Sequence, residues 1–359
     1  MPNGEGPAGK EKRMKRAKLL KHALCFSAFF GLAPSPLHAQ PSKNFYEGKA
    51  IQFLVGSSAG GGTDVTARLI ARHLERHIPG KPRIDIINKP GAGGMIAANE
   101  LYNLRKPDGL SLSTLNSGIL FATAVGNQAI KFDLKKFLWV GQAFDDAQVL
   151  YLKTSTPYTS FEAIRKANRE GKQPKMGAQA LDHTSNVVVK IVGQILDLDF
   201  QVIPGYPGTP EILLDIERGA LDGRAQGIGS LMSTRREWTR NGYIKMLVTS
   251  KKGRDARLAA VPTIEEMAPI GSKALLNALY ASQDLARSVV LPPGVPPERV
   301  KVLRDAFAAT VRDEQFVKEA DKLGLEVGLI RGEELNRDIE ATLNDKRLMD
   351  LYRMIATAR

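Results

Sequence analysis

From Ala50 onward the chain alternates short apolar strands with helical periodicity, and this alternation constrains the fold more than any other feature. Residues 51–55 read as a buried strand, followed by the run Gly60-Gly61-Gly62. Thr63 then stands where it can cap a helix whose apolar positions Val65, Leu69, Ile70 and Leu74 fall at helical spacing. A second strand at 84–87 runs into the turn Asn88-Lys89-Pro90-Gly91, with a small-residue helix from Gly93. Pro107-Asp108-Gly109 marks a turn before a strand at 110–115. Strands are predicted at 137–144, 149–152, 175–178, 200–203 and 243–249, and helices at 161–168, 187–196 and 211–218. After Pro292, Pro293, Pro296 and Pro297 a helix carries Val300, Leu303, Phe307 and Val311 on one face. The helix from about Glu333 spaces Leu335, Ile339 and Leu343 by four, and residues 346–359 continue it or pack it onto the first lobe. The class is α/β. With no internal repeat and no linker tract, a second domain is expected as an insertion rather than an appendage.

A length of 359 residues suits two domains. The 43% hydrophobic and 25% charged content excludes wholesale disorder, and one cysteine excludes a disulfide framework or a cysteine-cluster metal site. The net charge of +13 is partly a property of the first 39 residues, which hold seven Lys/Arg and two Glu; removing them leaves +8. That segment reads as an export signal. A basic start is followed by an apolar run at 23–33, then Pro34 and Pro36, and a small residue at Ala39, after which the cut is expected. The run is too short to span a bilayer, which takes about 20 residues. Met14 heads a more typical signal than Met1. The exported chain, without Cys25, contains no cysteine.

Several residues could carry chemistry. A strand, then Gly56-Ser57-Ser58-Ala59-Gly60-Gly61-Gly62-Thr63-Asp64, then a helix, aims unpaired backbone N–H groups and a positive dipole end at an anion. The alternative is a tight structural turn. No Lys follows the glycines, which argues against nucleotide phosphate. The same loop matches G-x-S-x-G with Ser58 as nucleophile, but of the histidines beyond the leader only His183 could return to it, since His73 and His77 lie on the helix directly after the loop. His73 and His77, four apart, lack a third ligand and read as solvated or half-buried side chains. Gly91-Ala92-Gly93-Gly94 has Ile96 at the third glycine position of a dinucleotide fingerprint, a weak match. The densest basic cluster, Lys251-Lys252-Gly253-Arg254, reads as a solvated loop. With 6% aromatics, no nucleic-acid partner is expected.

Gly60-Gly61-Gly62-Thr63-Asp64, Asn88-Lys89-Pro90-Gly91-Ala92-Gly93-Gly94 and Pro107-Asp108-Gly109, in that order, resemble the periplasmic receptors of tripartite tricarboxylate transporters, the Bug or TctC family. Tyr206 with Gly208, the run Asp215, Gly219 and Asp222, and Val261-Pro262-Thr263 followed by Glu265 extend the resemblance over about 49–343. It implies a two-lobed, type II-like periplasmic-binding-protein fold: two α/β domains joined by a two-strand hinge and closing on a small carboxylate. Domain 1 is expected at 45–144 plus 250–343, an inserted domain 2 at 145–249, and a C-terminal helix at 344–359. Carried over by position, the first binding loop is 56–64, with Ser57, Ser58 and Thr63 as hydroxyl donors beside Ala59, Gly60, Gly61, Gly62 and Asp64. The opposing loop, 180–186, offers Thr184 and Ser185. Tyr206 and Gly208 line the next loop, and the hinge-side strand ends near Phe144 and Asp145. The sequence departs from the family in four places. Gly56-Ser57 replaces Pro-Phe, Leu181 and His183 replace glycines, Gln226 replaces an Asp with Arg224 an unusual charge nearby, and the 204–208 loop is one residue longer.

The resemblance implies an exported receptor that captures a carboxylate by domain closure and delivers it to membrane permease subunits, without turnover. No cofactor or metal is expected, and a monomer suffices. Two alternatives stay open: a secreted serine hydrolase built on Ser58, and a receptor that serves signalling.

Overall fold

The computed structural model describes residues 45–357; the leader assigned to 1–39 and its cut after Ala39 lie outside the described residues. Eleven strands form two mixed sheets among the described residues. The first contains β1 (Ala50–Val55), β2 (Arg83–Asn88), β3 (Ser111–Leu115), β4 (Leu138–Phe144), β10 (Ser288–Leu291) and β11 (Val327–Arg331), in the order β11-β4-β10-β3-β1-β2. The second contains β5 (Gln148–Lys153), β6 (Lys175–Gly177), β7 (Gln201–Ile203), β8 (Gly223–Gly227) and β9 (Ile244–Thr249), in the order β7-β6-β8-β5-β9. β1 runs parallel to β2 and β3, and β6 parallel to β7 and β8. β10 and β11 return antiparallel in the first sheet, as β5 does in the second.

The helices used below are α1 (Gly62–His77), α2 (Met95–Leu104), α3 (Gly118–Ala124), α4 (Phe161–Arg169), α5 (Thr184–Leu196), α6 (Thr209–Arg218), α7 (Lys273–Gln283), α8 (Pro297–Arg312), α9 (Glu314–Lys322), α10 (Gly332–Asn344) and α11 (Lys346–Thr357). None among the described residues is long and apolar enough to cross a membrane. Two expected boundaries move. Gly61, not Thr63, is the N-cap of α1, because Gly62 is already helical. The helix predicted from 187 begins at Thr184, where the His183 ring nitrogen accepts from the Ser185 N–H at 3.2 Å and so caps it. Polar residues at a helix start look like loop in a sequence, since capping and turn residues are the same types.

The apolar faces fill as the periodicities require. Phe53, Leu69, Ile70, Leu74, Leu303 and Phe307 close one side of the first sheet, and Tyr151, Ile212, Ile216 and Trp238 one side of the second. A third cluster belongs to both sheets, reaching from Phe121 and Trp139 to Leu150 and Val188. Its shared part is sealed by α11, a separate helix that packs onto the expected first-lobe residues at Phe121 and Ala278 and also reaches α5. Asp345 breaks it from α10, and Tyr352 sits wholly buried with its ring 4.5 Å from Phe121 and its hydroxyl donating to Ala278 O on α7.

The chain passes from the first sheet to the second through 145–147 and returns after Thr249. These crossings lie side by side: Ser250 N donates to Gln148 O at 2.8 Å and Gln148 N to Ser250 Oγ at 2.7 Å.

Candidate functional site

Helices α1, α5 and α6 each follow a strand or loop that ends at the gap between the two sheets. Their first turns present Thr63, Thr184, Ser185 and Thr209 to one small cavity of about 40 Å³. An adjoining space of about 20 Å³ reaches Ser57 and Gly94. Gly61 and Gly208, the N-caps of α1 and α6, have no side chain to satisfy the first N–H groups, which leaves those donors available at the positive dipole ends beside the cavity-lining Thr63 and Thr209. The first loop is held rigid by Asp64, whose carboxylate accepts from Gly60 N (2.8 Å), Arg68 Nε (2.9 Å) and Asn88 Nδ2 (2.9 Å). Burial alone would raise the Asp64 pKa, but these bonds outweigh it and hold the carboxyl below its usual range. The second glycine motif supports the same loop. A side chain at Gly56 would come within 2.6 Å of Gly94 Cα, and Gly94 itself sits at φ 95°, in the region that favours glycine.

The two halves meet around the cavity. Ser117 and Thr184 share a buried hydroxyl hydrogen bond of 2.7 Å, and Asn127 Nδ2 donates to Asp182 Oδ2 at 2.6 Å. Gly208 packs on Ser58, so a Cβ there would lie 2.8 Å from the Ser58 Cβ.

Three ionised side chains line the larger cavity. Arg287 Nη2 stands 2.6 Å from Asp146 Oδ1, both nearly buried, and Arg287 adopts φ 57°, a conformation that costs a non-glycine residue about 1–3 kcal/mol unless its surroundings impose it. Burial pushes the Asp146 carboxyl up to about 6 against the pull of Arg287. Arg224 is 2% exposed and donates from Nε to Ala225 O at 3.0 Å, while its Nη1 has no partner. His183 is packed among protein atoms, though part of its surface remains accessible; burial, then Arg224 and Arg287, push its pKa down to about 3 and keep it neutral. Gln226 is committed on both sides, accepting from the Tyr151 hydroxyl at 2.7 Å and donating to Ser230 Oγ at 2.9 Å.

Of the residues expected from sequence, Thr63, Thr184, Ser185 and Gln226 line the larger cavity and Ser57 the smaller. Gly61 and Gly62 lie against Pro210 and Ser230 of the opposite half. Ser58 touches Gly208, whereas Ala59 and Gly60 are exposed at the loop tip. Asp64 has its oxygens turned into its own loop. Tyr206 donates to Asp215 at 2.7 Å and is not among the lining residues. Asp145 lines a neighbouring pocket of about 290 Å³ beside Lys251 and Asp284, and Asp146 lines both that pocket and the cavity. Asp146, Asn116, Gln179, Thr209, Ser230 and Arg287 escaped the sequence reading. Arg224 and Gln226, two residues apart on β8, share a face.

Ser58 does not form a nucleophile elbow. Three residues separate it from the start of α1, and His183 is bonded to Ser185 instead. His73 is buried at 4% exposure, not solvated, and pairs with Glu319 of α9 at 2.7 Å, as His77 does with Asp313, the N-cap of α9, at 2.9 Å. Of the basic cluster, Arg254 is tied to Glu266 at 2.8 Å. Cavity size does not single out the site. A groove of about 1050 Å³ lies elsewhere, with ion pairs on its walls such as Arg257 with Asp255 at 2.5 Å, and none of the residues expected from sequence as ligand contacts lines it.

Residues 66–351 match the tripartite tricarboxylate transporter family receptor, TctC. A UPF0065 protein from the gbd 5′ region of Cupriavidus necator is 26% identical over 305 residues, 84% of this chain and 85% of its own. Among solved structures, the periplasmic binding protein BugD superposes with a TM-score of 0.73 at 19% identity, over 86% of this chain and 98% of its own. MatC from Rhodopseudomonas palustris with bound malate gives 0.69 at 19%, over 86% and 99%. The matched family and these two structures are binding proteins rather than enzymes, and the two structures share this α/β fold. With the family match spanning most of the chain, the protein belongs to the tripartite tricarboxylate transporter receptor family.

Proposed function

We propose that this protein is an exported receptor that holds a small carboxylate between its two sheets and delivers it to the membrane permease of a tripartite tricarboxylate-type transporter. The observation that carries the reading is the convergence of the α1, α5 and α6 starts, drawn from both sheets, on one cavity. A carboxylate there accepts from N–H and hydroxyl groups of both halves at once, so it binds the closed form better than the open one. Residues 45–144 plus 250–343 form one lobe, 145–249 the inserted lobe, and the paired crossings the hinge, with the helix of 344–359 packed across both. In the binding loops, Ser57, Thr63, Thr184 and Ser185 act as donors. Export through the leader at 1–39 places the receptor in the periplasm as a monomer.

Two or three charge-assisted hydrogen bonds, each about 1.5–3 kcal/mol, supply much of a micromolar affinity of about −8 kcal/mol. A thermal-shift screen of short carboxylates, including malate, tests the reading. At 100 times Kd the ligand adds about 2.7 kcal/mol and raises Tm by several degrees. No shift with any carboxylate, confirmed by silent calorimetry, would refute it. Delivery is checked separately by uptake into vesicles holding the permease, with and without the receptor.

A further inference from the structure

Given the carboxylate-receptor reading, on which this rests, we infer that the cleft takes up a proton together with its anionic ligand, and that Asp146 is where the proton binds. Asp146 is 7% exposed and lines the same cavity as Thr63, Thr184 and Ser185. An anion held there sits beside a carboxylate, a like charge shielded from bulk water, and such pairs favour the protonated form of one partner. The carboxylate is held in place. Gln148 Nε2 donates to its Oδ2 at 3.0 Å, Arg287 Nη2 stands 2.6 Å from its Oδ1, and a Cβ at Gly227 would come within 2.5 Å of that same oxygen. The Arg287 contact is an ion pair without hydrogen-bond alignment, so Oδ1 accepts no hydrogen bond.

The charges around Asp146 fix the sign of the effect. Arg287, just before β10, is its counter-ion, and Arg224, from β8, is the other cation lining the cavity. An anion drawn to either guanidinium weakens the field that keeps the Asp146 carboxyl ionised. Asp145 beside it adds like charge, and the neutral His183 ring before α5 supplies none. In the neighbouring pocket, Lys251 is engaged by Glu326 and by Asp255 at 3.7 Å, and Lys252 lies over the Tyr280 ring at 4.9 Å. Asp284 adds a further carboxyl to that pocket. Burial holds the Asp146 carboxyl up at about 6 against the pull of Arg287, and an anion in the cavity raises it further, into the neutral range. The proton comes from solvent, and the neutral carboxyl no longer repels the ligand. The receptor thereby grips its anion more firmly in acidic surroundings and loosens as pH climbs.

The test is calorimetry on the purified protein with the tightest carboxylate of the thermal-shift screen. Titrations near pH 7 in MOPS and in Tris, buffers of different ionisation enthalpy, count the protons exchanged. Uptake of about 0.4–0.8 proton per ligand is expected if the anion raises the proton affinity of Asp146 about 10- to 100-fold. Kd is then expected to rise by the same factor, about 10- to 100-fold, between pH 5 and pH 9 after correction for the ligand's own ionisation. The lower bend of that curve belongs near 6, not near 3 where His183 would place it. Asp146→Asn is expected to take up no proton and to show a nearly flat Kd, with circular dichroism reporting on its fold. The wild-type proton count and bend stand whether or not that variant folds. Binding without proton uptake, a pH-independent Kd, or uptake intact in a folded Asp146→Asn protein overturns the inference and leaves the receptor reading in place. Failure of every carboxylate to bind overturns both.

Discussion

Replacing Gly118 by Ala would wedge the two halves apart without touching a binding side chain. Gly118 opens α3, where a Cβ would run into the Asp182 carbonyl oxygen and come within 2.8 Å of His183 Cα, both main-chain atoms of the opposite half. Main chain cannot rotate away as a side-chain tip can, so relief requires the halves to separate. Overpacking of this kind costs about 1–3 kcal/mol, confined here to the closed form. Because the ligand holds that form, the cost appears as a Kd raised about 5- to 150-fold. The ligand-free protein keeps its stability, since alanine suits a helix better than glycine by up to about 1 kcal/mol. Calorimetry gives the Kd, and small-angle scattering should show a larger radius of gyration for the variant with ligand than for the wild type with ligand. An unchanged Kd together with wild-type compaction would show that α3 does not meet residues 182–183 when ligand is bound, and would refute the closure geometry.

Acid stability offers another check, because two cavity groups oppose one another. The pKa of His183 falls from 6.5 to about 3 on folding, so the native state binds fewer protons between those values and its stability drops as pH falls from 6.5 toward 3. That of Asp146 rises from 3.8 to about 6 against Arg287, with Asp145 adding to the rise, so its contribution makes stability drop as pH climbs through 3.8 to 6. His183→Gln should therefore expose the Asp146 slope, making urea-unfolding stability greater near pH 4 than near pH 6 relative to wild type; an unaltered pH profile would count against a buried neutral imidazole. Tyr352→Ala removes a fully buried ring from the core shared by both sheets. A loss of about 3–5 kcal/mol is expected, lowering Tm by roughly 6–15 °C; a fall under about 2 °C would show that α11 is not part of the cooperative core.

Much of the fold was legible because its signals are local. The apolar run of β1 and the four-residue spacing of Val65, Leu69 and Leu74 on α1 depend only on neighbours along the chain. β8 was not legible, because Gly-Arg-Ala-Gln-Gly contains no β-branched or aromatic residue; it is a strand through pairing with β5 and β6. β10 and β11 were missed for a related reason: both are short and return antiparallel from far along the chain to join the first sheet.

The sequence by itself determined the α/β class and the glycine loop that precedes α1, since both rest on residue type and nearby spacing, while Thr184 and Ser185 were singled out by the family resemblance. Tertiary structure alone decided which charges face the cleft. Arg224, Asp146 and Arg287 are separated by many residues, and burial, partner and orientation are set only when strands from both sheets bring them to one cavity. Of the two adjacent carboxylates at the crossing, Asp146 reaches the cavity and pairs with Arg287, and Asp145 lies 3.8 Å from Lys251. An ionised group's effect depends on what surrounds it in three dimensions, and the order of residues along the chain does not contain that information.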